Sequence, residues 1–184
     1  MTTPSRRVAV TRNSCRSIDD HTIDIFTYYC GDFKDIFRGK PVLDVGCGQR
    51  GGLCDFVLGQ GATKYVGVDI DETAIAFSWC AEKRGTFIWD DPIHVLSTLK
   101  KPHIVVSAAI FDNCIIEDIQ YAERLIQAIS QQTPTGWHTA HWAADLYHYG
   151  RHFSRAGLDR MNTNTQNERE CFGVYQKTAE EGRQ

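Results

Sequence analysis

The stretch that decides the fold reads Val42-Leu43-Asp44-Val45-Gly46-Cys47-Gly48-Gln49-Arg50-Gly51-Gly52. It begins as an apolar run, contains an acid, and continues with glycines at close spacing. This order is typical of a buried parallel strand followed by a tight turn into a helix. Glycine permits positive φ and lets a ligand approach the main chain, and the free N–H groups of the next helix suit an anionic group. The stretch therefore predicts a site for a nucleotide-type cofactor.

The composition predicts a globular, cytoplasmic protein. The chain has 184 residues, is 42% hydrophobic and 23% charged, and has a net charge of −3. These values fit one domain and exclude a global basic field for nucleic acid. The number of cysteines is odd, no Cys-x-x-Cys pair occurs, and neither a secretory signal nor an apolar run of membrane-spanning length is present. We therefore expect a reduced protein without a membrane span, whose cysteines are mostly core residues.

We interpret residues 1–184 as one domain made of three segments. Residues 1–17 carry four arginines and no acid, as expected either of a solvated tail or of an arm that contacts a ligand or an anionic partner. Residues 18–38 predict an N-terminal helical segment that ends before Pro41. Residues 39–178 alternate between strands and helices, which predicts a Rossmann-like core.

The alternation of strands and helices predicts the sheet. Strands are predicted at 42–45, 65–69, 86–89, 103–108, 137–142, 158–163 and 170–177, and helices at 51–58, 72–84, 92–100, 116–131 and 145–156. Asp71 and the Asp91-Pro92 pair are predicted helix starts. The pattern predicts an α/β fold with a doubly wound, mostly parallel sheet and helices on both faces. The last two strands have no helix between them and predict an antiparallel pair at one edge.

Acids follow the first three predicted strands: Asp44, Asp69, and the pair Asp90 and Asp91. Because ligands of open α/β sheets bind outside the carboxyl ends of the strands, these acids should lie at one edge. The glycines from Gly46 onwards, with Asp69, match the dinucleotide fingerprint literally. However, a carboxylate at Asp44 would repel a pyrophosphate and attract a cationic ammonium group. The pattern therefore favours a cationic ligand that carries an adenosine.

These motifs resemble those of the class I S-adenosylmethionine-dependent methyltransferases, which have a Rossmann-like fold. The resemblance rests on Val42 to Gly48, on Tyr65-Val-Gly-Val-Asp-Ile-Asp71 and on Asp90-Asp91. It covers about residues 39–177 and is strongest over 40–72. It implies a seven-stranded sheet in the order 3-2-1-4-5-7-6 with strand 7 antiparallel. It also implies a transferase of the EC 2.1.1 type with S-adenosyl-L-methionine as its cofactor.

The resemblance also implies the cofactor-binding residues. The glycine-rich loop would hold the methionine part, Asp69 the ribose hydroxyls, Ile70 the adenine ring, and Asp90 or Asp91 the adenine amino group. The predicted set is Asp44, Gly46, Cys47, Gly48, Asp69, Ile70, Asp90, Asp91 and Ser107. The chain departs from the family at Arg50, which stands where the third glycine usually falls. Arg50 either reaches a substrate anion or points to solvent, and neither Gly51 nor Gly52 is assigned the role of that glycine.

Candidate catalytic residues follow the fourth and fifth strands. Asp112 is placed to accept or position a substrate proton, and it fits a helix cap equally well. His141, at the carboxyl end of the fifth strand, is placed to act as a base and fits a packing histidine equally well. Residues 107–113 lack the Asn/Asp-Pro-Pro-aromatic signature of family members that act on amide or base nitrogens. His148 and His152 have helical spacing but no acid or cysteine nearby, so no metal site is predicted.

The leading hypothesis is a methyltransferase that acts on an O or N nucleophile of a small molecule. The alternatives are a methyltransferase acting on protein or RNA, a protein that binds S-adenosylmethionine without transferase activity, and a nicotinamide-dependent oxidoreductase. A small-molecule substrate is the expected partner, and no membrane partner is expected. The oligomeric state is open, and a homodimer is one of the states considered.

Overall fold

The computed structural model describes residues 26, 35–49, 51, 53–112, 116, 118–143, 146–161 and 171–179. The predicted arm 1–17 and Arg50 lie outside these residues. Most of the segment 18–38 also lies outside them. Phe26 is helical, whereas residues 35–38 form turns and bends, so the predicted helical segment does not continue to residue 38.

The described chain alternates between strands and helices as the sequence predicts. The strands are β1 (Pro41–Val45), β2 (Lys64–Asp69), β3 (Thr86–Trp89), β4 (Ile104–Ala108), β5 (His138–Ala143), β6 (Leu158–Arg160) and β7 (Cys171–Lys177). The helices are α1 (Cys54–Gly59), α2 (Glu72–Ala81), α3 (Pro92–Thr98), α4 (Ile119–Gln132) and α5 (Leu146–Arg155). None of the helices in the described part of the chain has the length and hydropathy that a membrane crossing requires.

The sheet has the predicted topology. Its order is β3-β2-β1-β4-β5-β7-β6. Strands β1 to β5 pair in parallel, whereas β7 pairs antiparallel with both β5 and β6. The central position of β1 follows from its sequence, because Val42, Leu43 and Val45 are fully buried and a central parallel strand is covered on both faces.

Each face of the sheet carries its own apolar cluster. On one face, α1 and α2 pack with Phe26 against residues such as Val42 and Val106. On the other face, α3, α4 and α5 pack against residues such as Leu43 and Val105. This two-sided burial leaves the carboxyl edge of the sheet as the place where polar side chains of neighbouring strands meet.

Aspartates begin three of the helices. Asp71 accepts the N–H groups of the first turn of α2, and Asp91 accepts that of Ile93 in α3, so both predicted helix starts are confirmed. Asp118 caps α4, so this helix begins at Ile119 and not at the predicted residue 116. Helix α2 ends at Ala81, three residues before its predicted end, because Glu82 has an extended backbone.

Candidate functional site

The candidate site lies at the carboxyl edge of β1, β2 and β3. Asp44 lies in β1, Asp69 ends β2, and Asp90 follows β3. The three strands are neighbours in the sheet, and Asp90 donates its backbone N–H to the carbonyl of Asp69. The predicted gathering of acids at one edge is therefore observed.

The glycine-rich turn after β1 is built from left-handed backbone. Gly46, Gly48 and Gly51 have φ values of 71°, 61° and 85°, a region that side-chain-bearing residues rarely adopt. A Cβ on Gly51 would also lie 2.8 Å from the Cβ of Glu82. A residue with a side chain at position 51 would therefore be strained in both backbone and packing.

Ser78 of α2 fixes this turn and was not singled out from the sequence. Its buried hydroxyl accepts the N–H of Gly51 at 3.0 Å and donates to the carbonyl of Gly48 at 3.0 Å. One side chain thus joins both ends of the turn to the helix that follows β2. The only sequence signal was a serine within an otherwise apolar stretch of α2.

Asp44 lies beneath the turn and is fully buried. Its Oδ2 accepts the Tyr65 hydroxyl at 2.7 Å and the N–H of Leu53 at 3.1 Å, whereas its Oδ1 has no hydrogen-bond partner among the described residues. Burial raises the pKa of Asp44 to about 6; the Tyr65 and Leu53 hydrogen bonds oppose the rise, and the charge of Asp69 adds to it. The protein thus keeps a buried carboxyl group with one oxygen still able to accept a hydrogen bond.

Asp69 holds the turn from the next strand. Its Oδ2 accepts the N–H of Gly48 at 2.9 Å, and its Oδ1 accepts that of Asp71 at 2.9 Å. Burial raises the pKa of its carboxyl group, although both backbone hydrogen bonds counteract the rise. Ile70, predicted to contact an adenine, is half-buried beside it, and its carbonyl accepts the indole N–H of Trp89 at 3.1 Å.

Gly67, Cys47 and Phe87 pack tightly beneath the turn. A Cβ on Gly67 of β2 would lie 2.8 Å from Sγ of Cys47 and 2.9 Å from the ring of Phe87. Cys47 is buried, and its burial raises the pKa of the thiol well above its usual value. Its side chain thus packs beneath the turn, so the predicted participation of Cys47 in a cofactor site would have to involve its backbone.

The structure separates the roles of the two acids after β3. Asp91 caps α3 and also accepts the Tyr121 hydroxyl at 3.0 Å. Asp90 is half-buried, and its Oδ2 lies 2.6 Å from Nδ1 of His94. The other oxygen of Asp90, Oδ1, accepts the N–H of Asp91 at 2.7 Å, so both acids are engaged within the described chain, and the predicted contact of Asp90 or Asp91 with an adenine stays a prediction.

Ser107 and His141 form a buried polar chain between β4 and β5. Oγ of Ser107 lies 2.8 Å from Nδ1 of His141, and Oγ1 of Thr139 lies 2.9 Å from its Nε2. All three side chains are fully buried, and burial lowers the pKa of His141 to about 3. A general base must reach a substrate proton, so this placement disfavours His141 as the base. The predicted contact between Ser107 and the cofactor stays a prediction, because its hydroxyl is engaged with His141.

The turn after β4 begins with a residue in the left-handed region. Ala109 has a φ of 64° and donates its N–H to the carbonyl of Trp142 at 2.6 Å. Asp112 follows it and is half-buried. Tyr147, at the start of α5, is exposed and lies beside His148, with ring centroids 3.7 Å apart and ring planes tilted by 38°. These residues give the edge a second, aromatic side beyond the glycine-rich turn.

Of the two histidines of α5 at helical spacing, His152 faces α4, since its Nδ1 lies 3.1 Å from Oε1 of Glu123. Among the described residues, no group of three His, Cys, Asp or Glu side chains is placed to hold a metal ion.

Several solved structures that match this architecture are methyltransferases. The N-methyltransferase NodS from Bradyrhizobium japonicum WM9 matches 88% of this chain and 100% of its own, with a TM-score of 0.62 and 12% identity. Magnesium protoporphyrin IX methyltransferase (ChlM) from Synechocystis PCC 6803, solved with bound SAM, matches 84% of this chain and 76% of its own, with a TM-score of 0.61 and 15% identity. The ribosomal protein L11 methylase from Lactobacillus delbrueckii subsp. bulgaricus matches 88% of this chain and 81% of its own, with a TM-score of 0.64 and 11% identity.

These likenesses establish the fold. No family model and no curated protein sequence matches the chain. The strand order and the structural matches nevertheless agree on the class I methyltransferase fold, so the predicted Rossmann-like fold class is confirmed.

Proposed function

We propose that this chain, with its class I methyltransferase fold, is an S-adenosyl-L-methionine-dependent methyltransferase of the EC 2.1.1 type, acting on an O or N nucleophile of a small molecule. The observation that carries the proposal is the set of acids Asp44, Asp69 and Asp90 around a turn of three left-handed glycines. The acids of this edge attract a cation, and the glycines let a ligand larger than a metal ion come close to the main chain.

The residues present fit S-adenosylmethionine. The buried Oδ1 of Asp44, unpartnered among the described residues, supports a role in accepting a hydrogen bond from the ammonium group. Asp69 would hold the ribose hydroxyls, and Ile70 and Asp90 the adenine. When bound, the cofactor supplies a methyl group already activated on a sulfonium sulfur. The chain then has to hold the donor, orient the acceptor in line with it and keep water away.

The acidity of the edge supports a small molecule over RNA. Asp69, Asp71, Asp90, Asp91 and Asp112 are all half-buried at or near this edge in the described residues. A polyphosphate would be repelled by these charges, because nucleic acid binding depends on neutralising phosphates. We further propose a reducing, cytoplasmic setting, which suits the free cysteines of the described chain.

We propose Asp112 as the residue that accepts or positions the acceptor proton, and His141 as a positioning residue. Asp112 is only half-buried and follows β4 at the carboxyl edge, which supports its role. His141 ties the end of β4 to β5 through Ser107, and so supports the turn that carries Asp112. If Asp112 removes a proton from the acceptor, Asp112→Asn should lower the rate of methyl transfer. The loss should be largest for an oxygen acceptor with a high pKa, which is therefore the informative substrate.

Thermal unfolding with S-adenosylhomocysteine tests cofactor binding. Saturating S-adenosylhomocysteine should raise the melting temperature and NAD(H) should not, because a ligand of the native state stabilises it by mass action. Asp69→Asn should remove most of this rise, whereas Asp118→Asn, at a helix cap away from the turn, should retain it. A rise with NAD(H) alone would favour the oxidoreductase.

Transfer of a labelled methyl group separates enzyme from binding protein. Purified protein is incubated with methyl-labelled S-adenosylmethionine and fractionated cell extract. Label in the small-molecule fraction is the expected result. Label in protein or RNA would favour the macromolecular alternative, and binding without any transferred label would favour a cofactor-binding protein without transferase activity.

A further inference from the structure

Helix α2 carries an apolar face that the described structure leaves uncovered. Phe77 and Trp79 are 55% and 58% exposed, and Ala76 and Cys80 are exposed beside them. The opposite face of the helix buries Ala74, Ile75 and Ser78 against the sheet and the glycine-rich turn. The helix is therefore apolar on both sides, although only one side packs against its own chain.

Helix α4 shows the usual arrangement. Its inner face buries residues such as Leu125 and Ile126, and its outer face carries the exposed Glu123, Arg124 and Gln127. A surface helix of a monomer normally has such a polar outer side. The outer side of α2 instead carries Phe77 and Trp79 on its two flanks, with Ala76 and Cys80 between them, and exposed apolar residues grouped in this way mark an interaction surface.

The patch is held in place rather than loosely attached. The indole N–H of Trp79 donates to the carbonyl of Phe87 in the edge strand β3 at 3.1 Å. This bond orients the ring over the edge of the sheet while more than half of it stays exposed. An aromatic ring that is already oriented loses little conformational entropy when a partner covers it.

The charges at the two ends of α2 identify the partner. Glu72 is exposed at the first turn. Lys83 is exposed after the last turn and donates to the carbonyl of Trp79, whereas Arg84 is already engaged with Glu82 and Asp55. An exposed carboxylate thus stands at one end of α2 and the exposed ammonium group of Lys83 beyond the other, with Phe77 near the middle.

We propose that the α2 face is the contact of a symmetric homodimer in which the two α2 helices pack antiparallel. A two-fold axis near Phe77 brings Glu72 of each copy towards Lys83 of the other, and opposes the helix dipoles favourably. The Phe77 rings then pack on the partner's Ala76 and Cys80, and Trp79 covers the flank. Another protein would not in general carry the opposite charges at this spacing, whereas a second copy does so by symmetry.

Sedimentation velocity of the full chain, in reductant so that Cys80 cannot cross-link, tests this proposal. A reversible dimer is expected within a range of about 1 to 200 µM. Phe77→Glu should raise the dissociation constant at least about thirtyfold, and Ile119→Glu, on the exposed start of α4, should leave it unchanged. Ala76→Glu repeats the test at a small side chain if Phe77→Glu lowers the melting temperature.

Charge exchange tests the antiparallel arrangement. Glu72→Lys and Lys83→Glu should each weaken self-association about fivefold, because each change turns two attractions into two repulsions. Mixing the two variants should restore the dimer, since the chain with two lysines then faces the chain with two glutamates. A monomer throughout the concentration range, a dimer indifferent to both Phe77→Glu and Ala76→Glu, or variants that fail to associate on mixing would each overturn the proposal.

Discussion

Replacing Asp44 by Asn should change how the stability of the ligand-free protein depends on pH. In the folded protein this carboxyl group is fully buried, and its pKa is raised from 3.8 to about 6. Folding therefore favours its protonated form. The contribution of Asp44 to stability is fully present below the pKa of the unfolded chain and is lost as the pH rises through the folded value.

The size of the effect follows from the two pKa values. A difference of about two pKa units corresponds to about 3 kcal/mol of unfolding free energy between strongly acidic and alkaline solution. Roughly half of this change falls between about pH 5 and pH 8, because at pH 5 the folded carboxyl is still mostly protonated and the unfolded one is not. Relative to the wild type, Asp44→Asn should therefore gain about 1.4 kcal/mol over this interval.

Urea unfolding at several pH values over this interval measures the difference directly. Tyr65→Phe should make the unfolding free energy fall more steeply with rising pH than in the wild type. It removes the hydroxyl that donates to Asp44 at 2.7 Å and so raises the pKa of the carboxyl group further. Tyr121→Phe, which removes a hydroxyl that donates to Asp91 on the other face of the sheet, controls for the loss of a tyrosine hydroxyl. Parallel pH curves for the wild type and Asp44→Asn would refute the reasoning.

Three further outcomes are expected. Titration calorimetry should find an affinity for S-adenosylhomocysteine that is constant above about pH 6 and falls by up to about tenfold per pH unit below it. The reason is that the ammonium group of the ligand binds the ionised form of Asp44, so Asp44→Asn should abolish this dependence. Gly51→Ala should destabilise more than Gly136→Ala in urea unfolding. Both positions have positive φ, which costs about 1–2 kcal/mol, but only the Cβ at Gly51 would meet another side chain, that of Glu82. Ser78→Ala should lower the unfolding free energy by about 1–3 kcal/mol and weaken S-adenosylhomocysteine binding, because it releases both ends of the glycine-rich turn.

The order of the elements could be predicted because the strands are apolar runs separated by helical patterns. Strand β3 was predicted with its observed ends, and the antiparallel edge pair was predicted from the missing helix before β7. The errors lie at helix ends. Helix α2 stops at Ala81 without a glycine or proline to mark its end, and α4 starts after Asp118 although apolar residues precede it.

The positions of the acids could be predicted because parallel strands place their carboxyl ends at one edge. The helix cap at Asp91 could be predicted, because Pro92 indicates that a helix starts there. The burial of His141 could not be predicted from its place in the strand. Alternation along a strand shows which face of the sheet a side chain is on, but here helices cover both faces, so either face is buried. Ser78 acts across 27 residues of sequence, and so leaves no local pattern.

The packing around Gly67 divides the carboxyl edge into two zones of different mutational tolerance. Beneath the glycine-rich turn even one added methyl group meets Cys47 and Phe87, so sequence change there requires the strands themselves to move. Beyond β4, Asp112 is only half-buried and Tyr147 is exposed. Laboratory evolution towards new acceptors should therefore accumulate substitutions beyond β4 and leave the sequence of β1 and β2 nearly unchanged.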